Sequence, residues 1–247
     1  MGRIRRHDVL VLGYHGVGGE RSSLQISKSQ LERQLGLVQG RGYGSSTFRE
    51  ALEAYGRTVA VTFDDASATV FTCARPILDR LGYVATVFVG VGTVGAPGLL
   101  DWGQLAELDA AGWEIASHTR THRDLTRLSD EELDEELAGS RLRIQAELGS
   151  ACRSLAYPFG RADARVRAAA ARAGYEAACI VGFGARGADR LMRPRVGLSA
   201  LDGSLAFRLK IARPVRRLRA TSLGPPLEWL GRELRETQLA RAGFVDT

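Results

Sequence analysis

Residues 60–67 read AVTFDDAS, an apolar run that ends in two adjacent carboxylates, Asp64 and Asp65. With the two residues before it the run becomes TVAVTFDD (58–65), which is short, apolar and closed by turn residues, and this predicts a buried strand. Like charges on neighbouring residues repel, so a strand end carrying two of them asks for a reason. A turn or an N-cap pair is the plain one. Outward from this stretch the pattern repeats. DVLVLGYH (8–15), YVATVFVGV (83–91), WEIASHTRTH (113–122), RSLAYPFG (153–160), YEAACIVGFG (175–184) and RPRVGL (193–198) read as further strands. Helical spacing covers 26–42, 68–82, 101–112, 129–149 and 163–174 between them, with Asp101 a candidate N-cap and Ser129/Glu132 a capping box. Strand–helix alternation of this kind predicts an α/β fold with a parallel sheet, wound or closed as a barrel. In such folds the chemistry collects where strands end. His15, Asp64, Asp65, His118, His122 and the turn after Tyr157 lie at four separate strand ends, which would converge on one rim.

The totals agree with one sizeable core: 247 residues, 45% of them hydrophobic, suit a single α/β barrel domain. The surplus of 34 Lys+Arg over 28 Asp+Glu, a formal charge of +6, permits an anionic partner without demanding one. No motif for reading nucleic acid accompanies it, so no specific nucleic-acid partner is expected. Cys73, Cys152 and Cys179 have no metal-type spacing and read as core residues in a reducing compartment. The apolar run Val9–Leu12 is too short for a signal peptide core, and no stretch approaches a transmembrane span. The expectation is a soluble, cytoplasmic protein. After about residue 203 the alternation weakens, which divides the chain into a domain over 1–203 and a basic, partly helical extension over 204–247, packed on the barrel or trailing from it. Arg208, Lys210, Arg213, Arg216, Arg217 and Arg219 of that extension could make peripheral contact with an anionic membrane.

SHTRTH (117–122) places His118 and His122 at i and i+4, a spacing used by paired metal ligands, although hydrogen-bonded loop histidines share it. Two histidines and one carboxylate around a divalent metal leave positions open for water and substrate. The metal makes that water acidic, and a second carboxylate held off the metal can take its proton. One aspartate of the pair would bind and the other deprotonate. In AYPFG (156–160), Pro158 and Gly160 flank Phe159 and fix a sharp turn, whose outward N–H could stabilise an oxyanion. A plain turn is the alternative.

TFDD, SHTRTH and AYPFG, in that order and at strand ends, resemble the polysaccharide deacetylases with the NodB homology domain, carbohydrate esterase family 4. The resemblance covers roughly 8–200. It implies a distorted, incomplete (β/α) barrel with a groove across its top. Residue by residue, it implies that Asp64 is the general base and that Asp65, His118 and His122 hold a divalent metal, zinc foremost, with Co, Mn or Ni as alternatives. It further implies that the backbone N–H of Phe159 binds the oxyanion, with Tyr157 beside it in the substrate site. The implied reaction hydrolyses the N-acetyl amide of an amino sugar, in a glycan, a lipid-linked sugar or a glycosylated metabolite, to free amine and acetate.

The sequence departs from the family pattern in three places. Ala66 and Ser67 follow the aspartates where Gly and an aromatic are usual, so the loop is expected to be reshaped if that position needs a positive φ. Ala156 stands where many members carry an arginine that orients the base, and Arg193 or Arg195 could substitute, Arg195 being also a candidate for the substrate site. No histidine follows His122 to serve as the late general acid, but GYHGV (13–17) resembles the YHxV segment of a subgroup, which makes His15 the candidate. Trp102 is a candidate sugar-stacking residue at the rim, while Trp113 reads as packing. Ala66 and the missing late histidine leave room for an alternative, a non-catalytic carbohydrate- or metal-binding relative. The intact Asp64, Asp65, His118 and His122 oppose it.

Overall fold

The computed structural model describes residues 8–18, 22–181 and 189–219. Seven parallel strands form its centre: β1 (Asp8–Tyr14), β2 (Arg57–Phe63), β3 (Ala85–Val89), β4 (Glu114–Ser117), β5 (Ser154–Ala156), β6 (Ala177–Val181) and β7 (Arg193–Gly197). Their order in the sheet is β1-β7-β6-β5-β4-β3-β2, and β2 pairs back onto β1, closing the ring. The closure is uneven. β1 and β2 run in register from Asp8↔Arg57 to Tyr14↔Phe63, whereas β4 and β5 meet only at Ser117↔Leu155. This is the distorted, incomplete (β/α) barrel that the resemblance implies, with seven parallel strands.

Side-chain alternation sorts the strands into two faces. Leu10, Leu12, Val59, Val61, Val87, Ile115 and Leu155 join the large core between sheet and helices. Val11, Ala60, Phe88, Ala116, Ala156, Ala177 and Cys179 face a second, smaller core inside the barrel. A short helix unanticipated from the sequence, Phe48–Ala51, contributes Phe48 and Ala51 to that inner core, and the Phe48 ring meets Phe88 edge-on at 5.8 Å. The four inward alanines leave room for these rings and for Arg195. Nearby, half-buried Glu114 accepts from Thr86 Oγ1, Ser154 Oγ and the Arg49 N–H.

The helix expected over 129–149 runs over 130–148 with a π-turn at Glu135–Gly139 in its middle. The helix expected over 68–82 opens with a π-turn, Val70–Ala74, and continues as Arg75–Leu81 with Pro76 in its first turn. All three cysteines are free, two of them buried.

The start of the C-terminal extension packs on the barrel. Helices Ser204–Lys210 and Arg213–Arg219 follow β7, and Phe207 and Ile211 are buried. Three cations offered above to a membrane are engaged within the fold: Lys210 pairs with Asp202, while Arg213 and Arg216 both pair with Asp8 at the start of β1. A membrane-facing role for these three therefore has no support. The side chains of Arg217 and Arg219, together with His7 and Trp229, lie outside the described residues. Burial pushes the Asp8 carboxyl up, but hydrogen bonds from Arg213, Tyr43 and Arg216 outweigh it and hold the group at about 2. A depressed carboxylate adds stability that is present above its unfolded value of 3.8 and lost as the pH falls toward 2. Asp8→Ala is expected to cost about 2 kcal/mol at neutral pH. Urea melts from pH 7 to 2 should show this deficit shrinking through that acidic window.

Candidate active site

Three loops at the C-terminal ends of β2, β4 and β5 build the site, and each is held in unusual backbone geometry. Among the described residues, the non-glycine positions with positive φ are Asp65, Ala66, Thr119, His122 and Phe159, and all five lie in these loops. Such conformations cost of order 1 kcal/mol or more each and persist only where their surroundings impose them. After β2 the Asp64 N–H donates to the Tyr14 carbonyl at 2.9 Å, and Asp65 (φ 63°) and Ala66 (φ 52°) then turn the chain. The Ala66 carbonyl accepts from Leu100 N–H at 2.8 Å, and Ser67 bridges to Leu99. Position 66 thus has the left-handed conformation that favours glycine, and an alanine with a buried methyl adopts it.

The turn separates the two aspartates. Asp64 is buried, and its Oδ1 accepts from Arg195 NH1 at 2.7 Å while its Oδ2 accepts from Arg195 NH2. Arg195 NH1 also donates to Thr62 Oγ1 at 3.1 Å, and the guanidinium lies 5.5 Å from the Phe88 ring centre. Burial pushes the Asp64 carboxyl up, but the Arg195 charge outweighs it and holds the group well below the usual carboxylate range. Of Arg193 and Arg195, it is Arg195 that pairs with Asp64. It reaches in from β7, close to Gly13 of β1, where a Cβ would approach its side chain at 3.3 Å. Arg195 was also expected to touch substrate. That expectation is corrected: its side chain is buried and its bonds go to Asp64 and Thr62.

Asp65, half-exposed, turns toward the histidines. Its Oδ1 is 3.6 Å from His118 Nε2 and 3.7 Å from His122 Nε2. One ligand atom from each of Asp65, His118 and His122 lies within 4.8 Å of the others. His118 Nδ1 is 2.7 Å from the Ala156 carbonyl, which can only accept, so Nδ1 carries the proton and Nε2 turns its lone pair toward the cluster. Burial lowers the His118 pKa, against the pull of Asp64 and Asp65, which favours the neutral, ligating form. One carboxylate and two imidazoles at this separation fit a tetrahedral divalent ion such as zinc. Asp64 Oδ2 lies 4.0 Å from His118 Nε2, at the edge of the cluster.

His15 follows β1 directly. Its Nε2 is 4.0 Å from Asp65 Oδ2, the oxygen other than the one nearest His118 and His122, and its ring is partly exposed. The Phe159 ring is exposed and sits edge-on to His122 at 4.8 Å. Tyr157–Arg161 makes two overlapping turns, closed by Gly160 N–H to Tyr157 O and Arg161 N–H to Pro158 O, with left-handed Phe159 (φ 58°) at the kink between them. The bonds that close both turns come from Gly160 and Arg161, so neither turn engages the Phe159 amide. Gly160 is required here, since a Cβ would meet the Val181 carbonyl at 2.5 Å.

One further expectation is corrected. The Tyr157 side chain does not line the site. Ala156 faces into the barrel, so its neighbour Tyr157 points the other way, fully buried in the layer between sheet and helices. Trp102 begins the helix Trp102–Ala110 behind the Asp101 capping box, half-buried against the core, with Arg143 5.8 Å over its ring. Trp113 is packing, stacked on Phe63 at 6.2 Å. Glu136, by contrast, went unnoticed in the sequence. It is buried and bonds the loop that carries both histidines. Its signal was available: Leu133, Glu136, Leu137, Ser140 and Ile144 share the buried face of one helix, so a carboxylate lies on an inner stripe.

Residues 52–178 match the sequence model of the polysaccharide deacetylases. The chain belongs to the polysaccharide deacetylase family. It is 27% identical to YxkH of Bacillus subtilis over 189 residues, 74% of this chain and 67% of that protein. It is 23% identical to the poly-β-1,6-N-acetyl-D-glucosamine N-deacetylase of Staphylococcus aureus over 193 residues, 64% of this chain and 67% of the other. In fold it is similar to the Streptococcus pyogenes deacetylase PplD, solved with acetate, with a TM-score of 0.76 at 23% identity over 83% of this chain and 98% of that one.

Proposed function

We propose that this polysaccharide deacetylase is a metal-dependent N-deacetylase that hydrolyses the N-acetyl amide of an amino sugar to acetate and a free amine. The observation that carries this is the pairing of two differently treated aspartates: Asp65 set against His118 and His122, and Asp64 clamped by Arg195 beside them. The activity of the Staphylococcus aureus relative on an N-acetylglucosamine polymer supports the substrate class. Asp65, His118 and His122 would hold the divalent ion, zinc by preference. When bound, that ion supplies Lewis acidity to the acetyl carbonyl and to water.

The chain's own residues do the rest. Asp64, kept ionised by Arg195, accepts the proton of the attacking water. Because the clamp also weakens Asp64 as a base, its place against the cluster matters more than its proton affinity. The Phe159 N–H donates to the oxyanion as the carbonyl becomes tetrahedral. The exposed Phe159 ring gives the sugar an apolar face to rest on. His15 delivers a proton to the departing amine, which is too poor a leaving group to go as an anion.

The test of this reading is acetate release from monomeric, lipid-linked and polymeric N-acetylhexosamines, by chelator-stripped protein and by protein reloaded with Zn²⁺, Co²⁺ or Mn²⁺. Release that depends on the added metal supports it. Metal binding without acetate release from any substrate would instead make the protein a non-catalytic relative. The role of His15 has its own check. His15→Gln is expected to slow acetate release from an N-acetyl sugar about 100-fold, but to affect an activated aryl acetate little, since a phenolate needs no proton to leave. Equal losses on both substrates would show that His15 serves the cluster rather than the leaving group.

A further inference from the structure

The histidine loop after β4 is short, non-helical and bent by two left-handed residues, Thr119 (φ 69°) and His122 (φ 58°), yet it must hold two imidazoles to a fraction of an ångström. Every amide of this loop has an acceptor. His118 N–H donates to Val89 O at 2.8 Å, Thr119 N–H to Ser117 Oγ at 3.0 Å and His122 N–H to Thr119 Oγ1 at 3.2 Å. The two central amides, Arg120 at 2.9 Å and Thr121 at 2.8 Å, both donate to one oxygen, Oε2 of Glu136. The other oxygen accepts from Thr121 Oγ1. Successive amides turned to one side form an anion-holding nest, and here the chain fills it with its own carboxylate. Glu136 comes from another element, the π-turn Glu135–Gly139, a local widening of the helix of the kind that often accompanies functional sites.

We infer that Glu136 is a positioning residue for the metal centre: by accepting three hydrogen bonds from the loop between His118 and His122, it sets the spacing of the two imidazoles and hence the affinity for the ion. This rests on the metal-binding reading given above. The mechanism is hydrogen-bond acceptance, not charge. A glutamine at 136 can still take both amides on its carbonyl oxygen and donate its NH₂ to the Thr121 hydroxyl. A leucine can do neither.

The experiment is a Co²⁺ titration of the metal-stripped full chain, read by calorimetry and by the visible Co²⁺ spectrum, alongside amide hydrogen exchange at Arg120 and Thr121 without metal. Glu136→Leu is expected to bind Co²⁺ about 10- to 100-fold more weakly, with an altered spectrum and lost protection at both amides. Glu136→Gln should restore most of the affinity and the wild-type spectrum. Glu114→Gln, which changes a half-buried carboxylate at the far end of β4 from this loop, controls for general destabilisation and should lower the melting temperature without moving Co²⁺ affinity. If Glu136→Leu does not fold, Thr121→Val, which removes only the hydroxyl contact, should still shift the spectrum and weaken binding. Wild-type affinity in Glu136→Leu, or in Thr121→Val where that is the variant measured, overturns the inference. So does a glutamine variant as weak as the leucine one. Either result leaves the proposed function standing. A wild type that binds no Co²⁺ removes the metal reading itself and this inference with it.

Discussion

Asp64→Asn is expected to lower kcat for acetate release by about 10²- to 10⁴-fold while metal affinity stays within about tenfold of wild type. Asparagine is nearly the same shape, and its carbonyl oxygen can still accept from Arg195 NH1, but it has no charge and cannot take a proton from water. The geometry makes the split in effects specific. Asp64 Oδ2 stands 4.0 Å from His118 Nε2, whereas Asp65 Oδ1 stands between both histidines at 3.6 and 3.7 Å. Asp65→Asn should therefore show the reverse pattern, with loss of metal binding first and activity as a consequence. Parallel calorimetry and steady-state kinetics on the two variants check this. Loss of metal binding in Asp64→Asn would exchange the roles of the two aspartates.

Arg195→Met is the second large effect, and it acts on stability and catalysis together. Removing the guanidinium leaves the Asp64 carboxylate buried without its cationic partner, at a cost of about 3–5 kcal/mol at neutral pH. In the wild type the Asp64 pKa is depressed, so its contribution is present above the unfolded value of 3.8 and is lost as the pH falls below it. In the variant burial prevails, the folded-state pKa rises above the unfolded one, and folding favours the protonated acid. The deficit should then be small at acidic pH and grow as the pH rises through the range above 3.8. The acid limb of kcat/KM should move up with it, because the proton acceptor is neutral over more of the range. Urea melts against pH, paired with a pH–rate profile, give both readings. The double variant Asp64→Asn/Arg195→Met should be less unstable than the sum of the single ones, since no lone charge remains. An unchanged acid limb in Arg195→Met would show that Asp64 does not supply it.

The parts of this site legible in the sequence are those whose information is local. TFDD and SHTRTH carry Asp65, His118 and His122 within a few residues, at strand ends that alternation with helices already locates. The same alternation gives a parallel sheet, wound or closed, and the resemblance to the deacetylases chose the barrel. Arg195 was half legible: the chain offered Arg193 and Arg195, which share one face of β7, and only the assembled barrel shows which of them reaches Asp64. Tyr157 was misplaced for a related reason. It stands one residue past the end of β5, where the parity of the strand decides whether a side chain faces substrate or core. Phe48–Ala51 is four residues long, too short for any helical period to show, although it helps fill the barrel interior. Glu136 bonds residues 15 and 16 positions away across a loop–helix contact, and only its place on an inner helical stripe hinted at it.

The role of Ala66 also became clear only with backbone angles. From sequence it was a departure expected to reshape the loop. In the structure it keeps the left-handed turn that separates the two aspartates, tied by its carbonyl to Leu100. The doubled carboxylate works because consecutive residues at the end of β2 are turned apart, one into the barrel onto Arg195 and one out toward the histidines.

The most direct measurement of the central claim is anomalous diffraction from crystals of the full chain soaked in Zn²⁺, recorded at the zinc edge. The account predicts one strong peak at this site, bonded to Asp65, His118 Nε2 and His122 Nε2, with Asp64 still paired to Arg195 and not a ligand. A zinc ion held by Asp64 in place of Asp65, or no peak among these residues at full occupancy elsewhere, would contradict it.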